Sequence, residues 1–367
     1  MPFSSSAIRV FARNSGPALV RAVPLVLVAA LCCIVLNAGF FAPYDYQRQN
    51  RSAAFSPPTR IHFLDIYGRF HLRPFIYKRR AKPGSFSVYE EDRSSPHPLP
   101  FLVPGPEYAL AGLFPARIHF FGPPPGTDVF LMGSDGLGRD IFSRLLFGAQ
   151  ISLLAPLLAT AIAVSLGLLV GSISGYFSRW TDELIMRLAE LLLSVPWLYL
   201  LLLVRAFLPL HLGPQSVFLL LMAVSGVVGW GRPARLVRNL VATGRKREYV
   251  LAAQGFGASH FYVLRRHILP QGYAISLTQA ALYIPQYITA EVTLSYFGLG
   301  VSEPAPSWGN MLAQVRTLFV LENCWWMFAP AVALMAVLLL FETLFRVRLG
   351  SLPLPPQVAL KKTRQLF

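Results

Sequence analysis

Apolar residues in this chain run in long uninterrupted blocks, not in the one-sided stripes of a water-soluble core. Residues 22–41, 145–178, 215–231, 268–290 and 323–341 carry no charge, and 188–204 carry a single acid, Glu190. A helix of roughly 20 apolar residues crosses about 30 Å of hydrocarbon. Membrane spans are therefore predicted near 20–42, 151–174, 186–207, 214–231, 272–292 and 324–343. One such block is compatible with a buried core helix, but six in one chain are not readily explained that way. Between the first two blocks the pattern changes. Residues 60–66 and 69–77 are extended, aromatic-rich runs on either side of Tyr67-Gly68, which reads as a β-hairpin. Residues 117–121 and 129–132 read as further short strands, and the Pro-rich stretches 94–106 and 122–125 as irregular. The pattern predicts an all-α polytopic membrane protein with six transmembrane helices and a small β-rich insert between helices 1 and 2.

Charge placement orients these spans. The segment 231–270 carries Arg232, Arg235, Arg238, Arg245, Lys246, Arg247, Arg265 and Arg266 against one acid, Glu248, whereas 208–213 has no Lys or Arg. Basic residues also mark both ends, with Arg9, Arg13 and Arg21 before the first span and Arg346, Arg348, Lys361, Lys362 and Arg364 after the last. Positive loops stay on the cytoplasmic side, so both termini and the 232–270 loop are expected inside. The 43–132 insert is then extracytoplasmic. It is basic as well, but loops beyond about 60 residues escape the rule.

The expected organisation is a basic arm and first helix at 1–42, the insert at 43–132, a five-helix core at 133–345 and a basic tail at 346–367. A composition of 54% hydrophobic and 14% charged residues agrees with a membrane protein. The net charge of +16 lies along cytoplasmic edges, where anionic lipid headgroups attract it, and nucleic acid is not an expected partner. Cys32 and Cys33 sit in the first span and Cys324 at an outer edge, which is no disulfide framework. The first apolar run exceeds a signal-peptide core, so a retained anchor is expected. His62, His71, His97 and His119 lack the close spacing of a metal pair and read as surface or packing residues.

Three motifs carry chemistry. The segment RKREYVLAAQGFGASHFYVLRRHILPQ, from Arg245 to Gln271, is basic and amphipathic between two spans. Its small residues Ala252, Ala253 and Gly257 suit close approach of another protein. The segment GSDGLGRDIFSRLLFGAQISL begins at Gly133. It lacks the alternating acids of a calcium loop, and it follows no phosphate-loop pattern. The adjacent charges Arg139 and Asp140 suit a helix start at the membrane surface. The third segment, EVTLSYFGLGVSEPAPSWGNM, begins at Glu291, an ionisable residue at the outer end of the fifth span. Such groups are costly in a membrane and functional by default, although headgroup snorkelling is open to a residue at an edge. Pro196, Pro285 and Pro330 fall inside predicted spans, where each removes a backbone hydrogen bond and can kink the helix.

In that order, the motifs resemble the permease subunits of ABC transporters of the dipeptide, oligopeptide and nickel branch. Ala252, Ala253, Gly257, Leu269 and Pro270 match the family's cytoplasmic loop, while Leu251 stands where the family usually has Glu and His267 at an Ile position. Gly133, Asp135, Gly138, Arg139, Asp140, Ser143, Arg144 and Gly148 match the stretch before the second span. The resemblance covers about 130–345, and the insert follows no family pattern.

It implies that the chain forms half of the translocation path of an importer of peptides or a similar small solute. Glu248, Tyr249, Ala252, Ala253, Gly257 and Ala258 would couple to an ATPase, with Glu291 and Pro285 as translocation or gating candidates. The implied partners are a second, different permease subunit, two ATP-binding subunits, an extracytoplasmic substrate-binding protein and membrane lipid, in a bacterial or archaeal cytoplasmic membrane. ATP and magnesium would bind the partner subunits and no cofactor this chain. None of its lysines, Lys78, Lys82, Lys246, Lys361 and Lys362, follows a glycine as the phosphate-loop lysine must, and no hydrolase motif is present, so no enzymatic activity is expected. Two other readings stand beside this one, an ion-coupled secondary transporter and a non-transporting membrane scaffold. The sequence leaves the substrate open.

Overall fold

The computed structural model describes residues 17–81, 89–110, 114–177, 179–207 and 213–350. Most of the basic arm and the tail beyond residue 350 lie outside these residues, as does most of the short 208–213 connection. The chain is mainly helical. Helix α1 (Pro17–Leu36) is the first apolar block and is followed by a single turn, Ala38–Phe41.

The insert forms two small antiparallel sheets. In the first, β1 (His62–Leu64) pairs with β2 (Phe70–Ala81), which pairs with β3 (Tyr89–Pro98). In the second, β4 (Phe101–Leu110) pairs with β5 (Phe114–Phe121). The hairpin expected around Tyr67-Gly68 is present, and Gly68 supplies its left-handed turn at φ 77°. Ile76, Leu99, Phe121 and Val129 form a small core against Leu131 and Phe142.

Two expectations fail here. Residues 94–106 are not irregular, because β3 and β4 occupy most of them. Their prolines sit on strands with an unpaired side, where a missing N–H costs nothing, and the β4–β5 register shifts between Pro104 and Tyr108. Residues 129–132 are not a strand. The Val129 and Phe130 N–H groups instead donate to the Tyr44 hydroxyl and Thr59 Oγ1, at 2.8 and 2.9 Å.

The core begins with α2 (Ile141–Ala149), which runs through one π turn into α3 (Ala155–Tyr176). Helix α4 (Arg179–Ser194) and α5 (Trp197–Phe207) follow, then α6 (Pro214–Val228) and α7 (Gly231–Gly244). The loop helix α8 (Glu248–Gly255) leads to the long α9 (Leu269–Tyr296), a short α10 (Trp308–Ala313) and finally α11 (Ala329–Gly350).

Three described segments are long and apolar enough to cross a membrane, Ile141–Tyr176, Ser216–Gly244 and Trp325–Val347. The block expected as one span at 186–207 is two helices meeting at 90°. The break falls at Pro196, which cannot donate to the preceding turn. Pro285 interrupts nothing, since α9 continues through it. Pro330 lies in the first turn of α11, where no hydrogen bond is lost, so no kink arises there.

Helix α3 is the centre of the core. Gly167, Gly171 and Gly175 recur every four residues and so lie on one face. A Cβ on Gly167 would collide with Pro233, on Gly171 with the Ala234 carbonyl, and on Gly175 with the Arg238 carbonyl and Val241. Small residues let helix backbones approach closely in lipid, where dispersion contacts drive packing. On the adjoining side, Ala155, Ala159 and Ala163 pack with Leu221 and Met222 of α6 and Tyr283 and Tyr287 of α9.

Gly171→Leu is expected to force α3 and α7 apart. The cost should be at least the ~1–3 kcal/mol typical of overpacking, because the obstacle is backbone. A reduced yield of folded protein and a lower melting temperature in detergent check this, with the exposed Leu169→Ala as the tolerated control.

Candidate functional site

The stretch from Gly133 to Arg144 folds as a charged clasp. Asp135 is buried and its Oδ1 accepts the N–H groups of Leu137 and Arg139 at 2.9 and 3.0 Å. Gly138, at φ 71°, closes the loop so tightly that a Cβ would strike the Asn50 carbonyl. Arg139 does not pair with Asp140 as its neighbour in sequence. It reaches Asp135 at 2.7 Å and Glu303, after α9, at 2.6 Å. Arg144, 1% exposed, meets the same Glu303 carboxylate at 2.9 Å, and Gln314 donates to it at 3.0 Å.

Asp140 caps α2 instead, accepting from the Ser143 N–H and hydroxyl at 2.8 and 2.6 Å. Burial pushes its carboxyl up to about 7, partly offset by those Ser143 bonds. Gly133, at φ 75°, turns the chain beneath Trp326, whose indole N–H donates to the Ser134 carbonyl at 3.1 Å. The motif is therefore a joint between the start of the second apolar block and the loop after the fifth. Glu303 completes it and was missed as a site residue. The signal was faint, since Asp135 and Asp140 already balance Arg139 and Arg144 within the motif.

Glu291 is not at an exposed edge. It is 0% exposed, which removes snorkelling as an account of it. Ser295 donates to it at 2.7 Å, and Ser152 and Ser307 also face it. Ser152 accepts the Trp308 N–H at 3.0 Å, while Ser307 and Asn310 form the capping box that starts α10. Glu291 thus lies enclosed where α9 meets α10 and the π turn before α3, with its one hydrogen bond from Ser295 on its own helix. Pro285, two turns earlier in α9, does not join this group; its carbonyl accepts the Thr289 hydroxyl at 2.8 Å.

The basic loop folds as a helix on a pedestal. Val250 of α8 is fully buried with Val263, Ile268, Val237, Val241 and Tyr176, and Ala253 and Ala258 pack against the same cluster. Those two alanines therefore face inward, whereas Ala252 is exposed together with Tyr249, Leu251 and Phe256. Phe256 is 94% exposed. Glu248 lies in the first turn, where an acid suits the helix dipole.

Gly257 has a conformational reason to be glycine, at φ 83°, where it ends α8. Within this chain a Cβ there would meet nothing within 4 Å. Tyr176 ties the pedestal to α3. Its hydroxyl lies 2.8 Å from His260 Nδ1, and its carbonyl accepts from Arg245 at 2.7 Å. One helix away, Asp182 of α4 holds Arg238 of α7 and accepts from Ser174 of α3.

Comparison with known proteins covers the basic loop. The family described as "Binding-protein-dependent transport system inner membrane component" matches residues 167–348. The probable D,D-dipeptide transport system permease protein DdpC of Escherichia coli is 36% identical over 211 residues, 58% of this chain and 68% of that protein. The dipeptide permease DppC of Bacillus subtilis is 36% identical over 222 residues, 60% of this chain and 67% of that protein. Bacillus subtilis OppC, an oligopeptide permease, is 39% identical over 188 residues, 51% and 59% of the two chains. Among solved structures, an inward-facing MetNI methionine ABC transporter aligns with 56% of this chain and 94% of its own, at 17% identity and a TM-score of 0.44.

The clasp gives a pH dependence with a definite sign. Burial raises the Asp140 carboxyl from 3.8 to about 7, so the fold favours its neutral form. Its contribution to stability is complete below about pH 4 and is lost as pH rises through about 7. Asp140→Asn keeps a capping oxygen for Ser143 and removes the titration. The melting temperature of the variant should fall less than that of the wild type between about pH 5 and pH 8. Parallel pH profiles would contradict the assignment.

Proposed function

Because the chain belongs to the ABC-transporter permeases of the peptide family, we propose that α8 is where an ATP-binding subunit drives it. As a permease subunit it moves solute rather than transforming it. The observation that carries the reading is the division of α8 into two faces. Val250, Ala253 and Ala258 hold it to the pedestal, and Leu251, Ala252 and Phe256 project outward. A short helix with such an exposed apolar tip suits a groove on a partner.

Closure of two ATP-binding subunits around ATP and magnesium would move α8. Tyr176 and the buried valines would pass that movement to α3 and α7. The chain would form half of the path beside a second, different permease subunit, exchanging inward-open and outward-open states. A substrate-binding protein would deliver a peptide or similar small solute from outside. In this reading all six apolar blocks span the membrane, including the bent pair α4–α5 and the more polar α9. The 43–132 insert lies outside, while the 232–270 loop and both termini lie inside. The core is 133–345, with the basic arm and first helix at 1–42 before the insert and the basic tail at 346–367 after the core.

Two measurements test this. Phe256→Ser combined with Leu251→Ser should abolish co-purification of the ATPase without lowering the melting temperature, because both side chains are exposed. Retention of the ATPase would place docking elsewhere. In a background lacking Cys32, Cys33 and Cys324, cysteines placed one at a time are probed with an impermeant thiol reagent on intact cells. Tyr67→Cys is expected to label and Lys246→Cys to stay protected, and the reverse would invert the topology.

A further inference from the structure

The second sheet of the insert has an apolar face left open among the described residues. Alternate residues of a strand share a face, so His119 and Phe121 of β5 point one way and Phe114, Ala116, Ile118 and Phe120 the other. The first face is packed. Phe121 sits in the small core with Ile76, Leu99 and Val129, and the His119 ring nitrogens lie 2.8 and 3.0 Å from the Ala42 and Pro106 carbonyls. The second face is open, with Phe114, Ile118 and Phe120 66%, 55% and 43% exposed. A sheet packed on one side ordinarily turns polar residues to water on the other. Here the charged residue of β5, Arg117, alternates onto the packed side, where it pairs with Glu107 at 3.1 Å.

The position of this hairpin is set by α1. The 20 residues of α1 make a helix about 30 Å long, the thickness of the hydrocarbon layer. The turn Ala38–Phe41 then falls at the boundary with the headgroups. The hairpin touches that turn at two places. The Phe120 ring lies 6.0 and 6.1 Å from those of Phe40 and Phe41. Tyr108, which pairs with Ala116, packs so closely on Gly39 that a Cβ there would strike its ring. Ala116 and Phe120 are separated by roughly 13 Å of strand, and both ends of that stretch meet the turn. The strands therefore run across the end of α1 and do not rise away from it. An apolar surface continues from that end through Phe40, Phe41 and Phe120 to Ile118 and Phe114, with the Phe101 ring 5.9 Å from Phe120.

Aromatic side chains gather where hydrocarbon meets headgroups. The same depth suits the backbone. An open sheet edge is not tolerated in hydrocarbon, where nothing satisfies its N–H and C=O groups, but headgroup water reaches it at the boundary. Pro104, Pro106 and Pro115 lower that demand, since each lacks the N–H.

We propose that the β4–β5 hairpin lies in the headgroup boundary of the outer leaflet, with Phe114, Ile118 and Phe120 turned into phospholipid. Lipid is the occupant of the open face, and the insert is anchored beside the first span. This rests on α1 crossing the membrane, as the permease reading has it, and adds a second, extracytoplasmic membrane contact.

The test is nitroxide accessibility in the full chain, purified with its partner subunits and reconstituted into vesicles of phosphatidylethanolamine and phosphatidylglycerol. In the background lacking Cys32, Cys33 and Cys324, single labels are placed through Phe114→Cys, Arg117→Cys and Ile118→Cys, all exposed positions. At 114 and 118, relaxation by oxygen, which dissolves in lipid, should exceed relaxation by a water-soluble nickel chelate. At 117 the order should reverse. Nickel dominance at all three positions puts the hairpin in water and overturns the proposal. Shielding of 114 and 118 from both reagents also overturns it, since a protein subunit then covers the face. A label through Leu27→Cys, on the exposed side of α1, checks the premise. Nickel access there would be a failure of the permease topology, whereas an oxygen-dominated signal there with nickel access at 118 fails this proposal alone.

Discussion

The close approach of α3 and α7 is the constraint on which the other features depend. Lipid tails are as apolar as leucine, so burying apolar surface gives two helices in a membrane no reason to meet. Gly167, Gly171 and Gly175 leave a groove on α3, and the Pro233–Ala234 turn and the Arg238 carbonyl fill it. With no side chain of α3 at these glycines between them, the two helices act as one body. The α6–α7 junction, which carries Arg232, and the pedestal, which carries α8, are both extensions of that body.

Charge is distributed to match. One cluster, Asp135, Arg139, Arg144 and Glu303, ties the start of α2 to the loop after α9. Another, Asp182 with Arg238, ties α4 to α7. Buried ion pairs gain little net stability once desolvation is counted, but removing one partner is severe. Their value here is geometric, since each specifies which segments meet. Between them, the region around Pro196 has cavities and only the loose, exposed pair of Arg235 with Glu190 at 3.6 Å, and this is where α4 and α5 can change their angle without breaking either cluster.

Length and hydropathy made the apolar blocks legible, and period-two patterning around a glycine turn made the β1–β2 hairpin legible. Features set by tertiary partners were not. The prolines of 94–106 suggested irregular chain because sequence does not say that a strand has a free edge. The block at 186–207 read as one span because hydropathy is blind to the turn at Pro196. Glu291 looked like an edge residue by counting along a straight helix, yet Ser152 and Ser307 arrive from elsewhere to enclose it. Glu303 was hidden because its two arginines lie about 160 residues earlier in the chain. Gly257 was legible as a required glycine, and its left-handed backbone is a reason for it that only the structure supplies.

The same geometry would connect a surface helix of eight residues to the α6–α7 junction. Load applied at Phe256 reaches Val250 through one turn of α8. Val250 bears on Val237 and Val241 of α7, and the Tyr176 contacts bring in the end of α3. Packed interiors transmit displacement instead of absorbing it, and the glycine groove adds no soft layer between α3 and α7. Arg232 lies at the far end of α7, one residue inside its start. A rotation of α7 therefore moves Arg232 relative to α9, whose opposite end packs against α10 around Val292 and Trp308. If α8 is the driven element, the helix that moves with it and the helix that stays are therefore different ones.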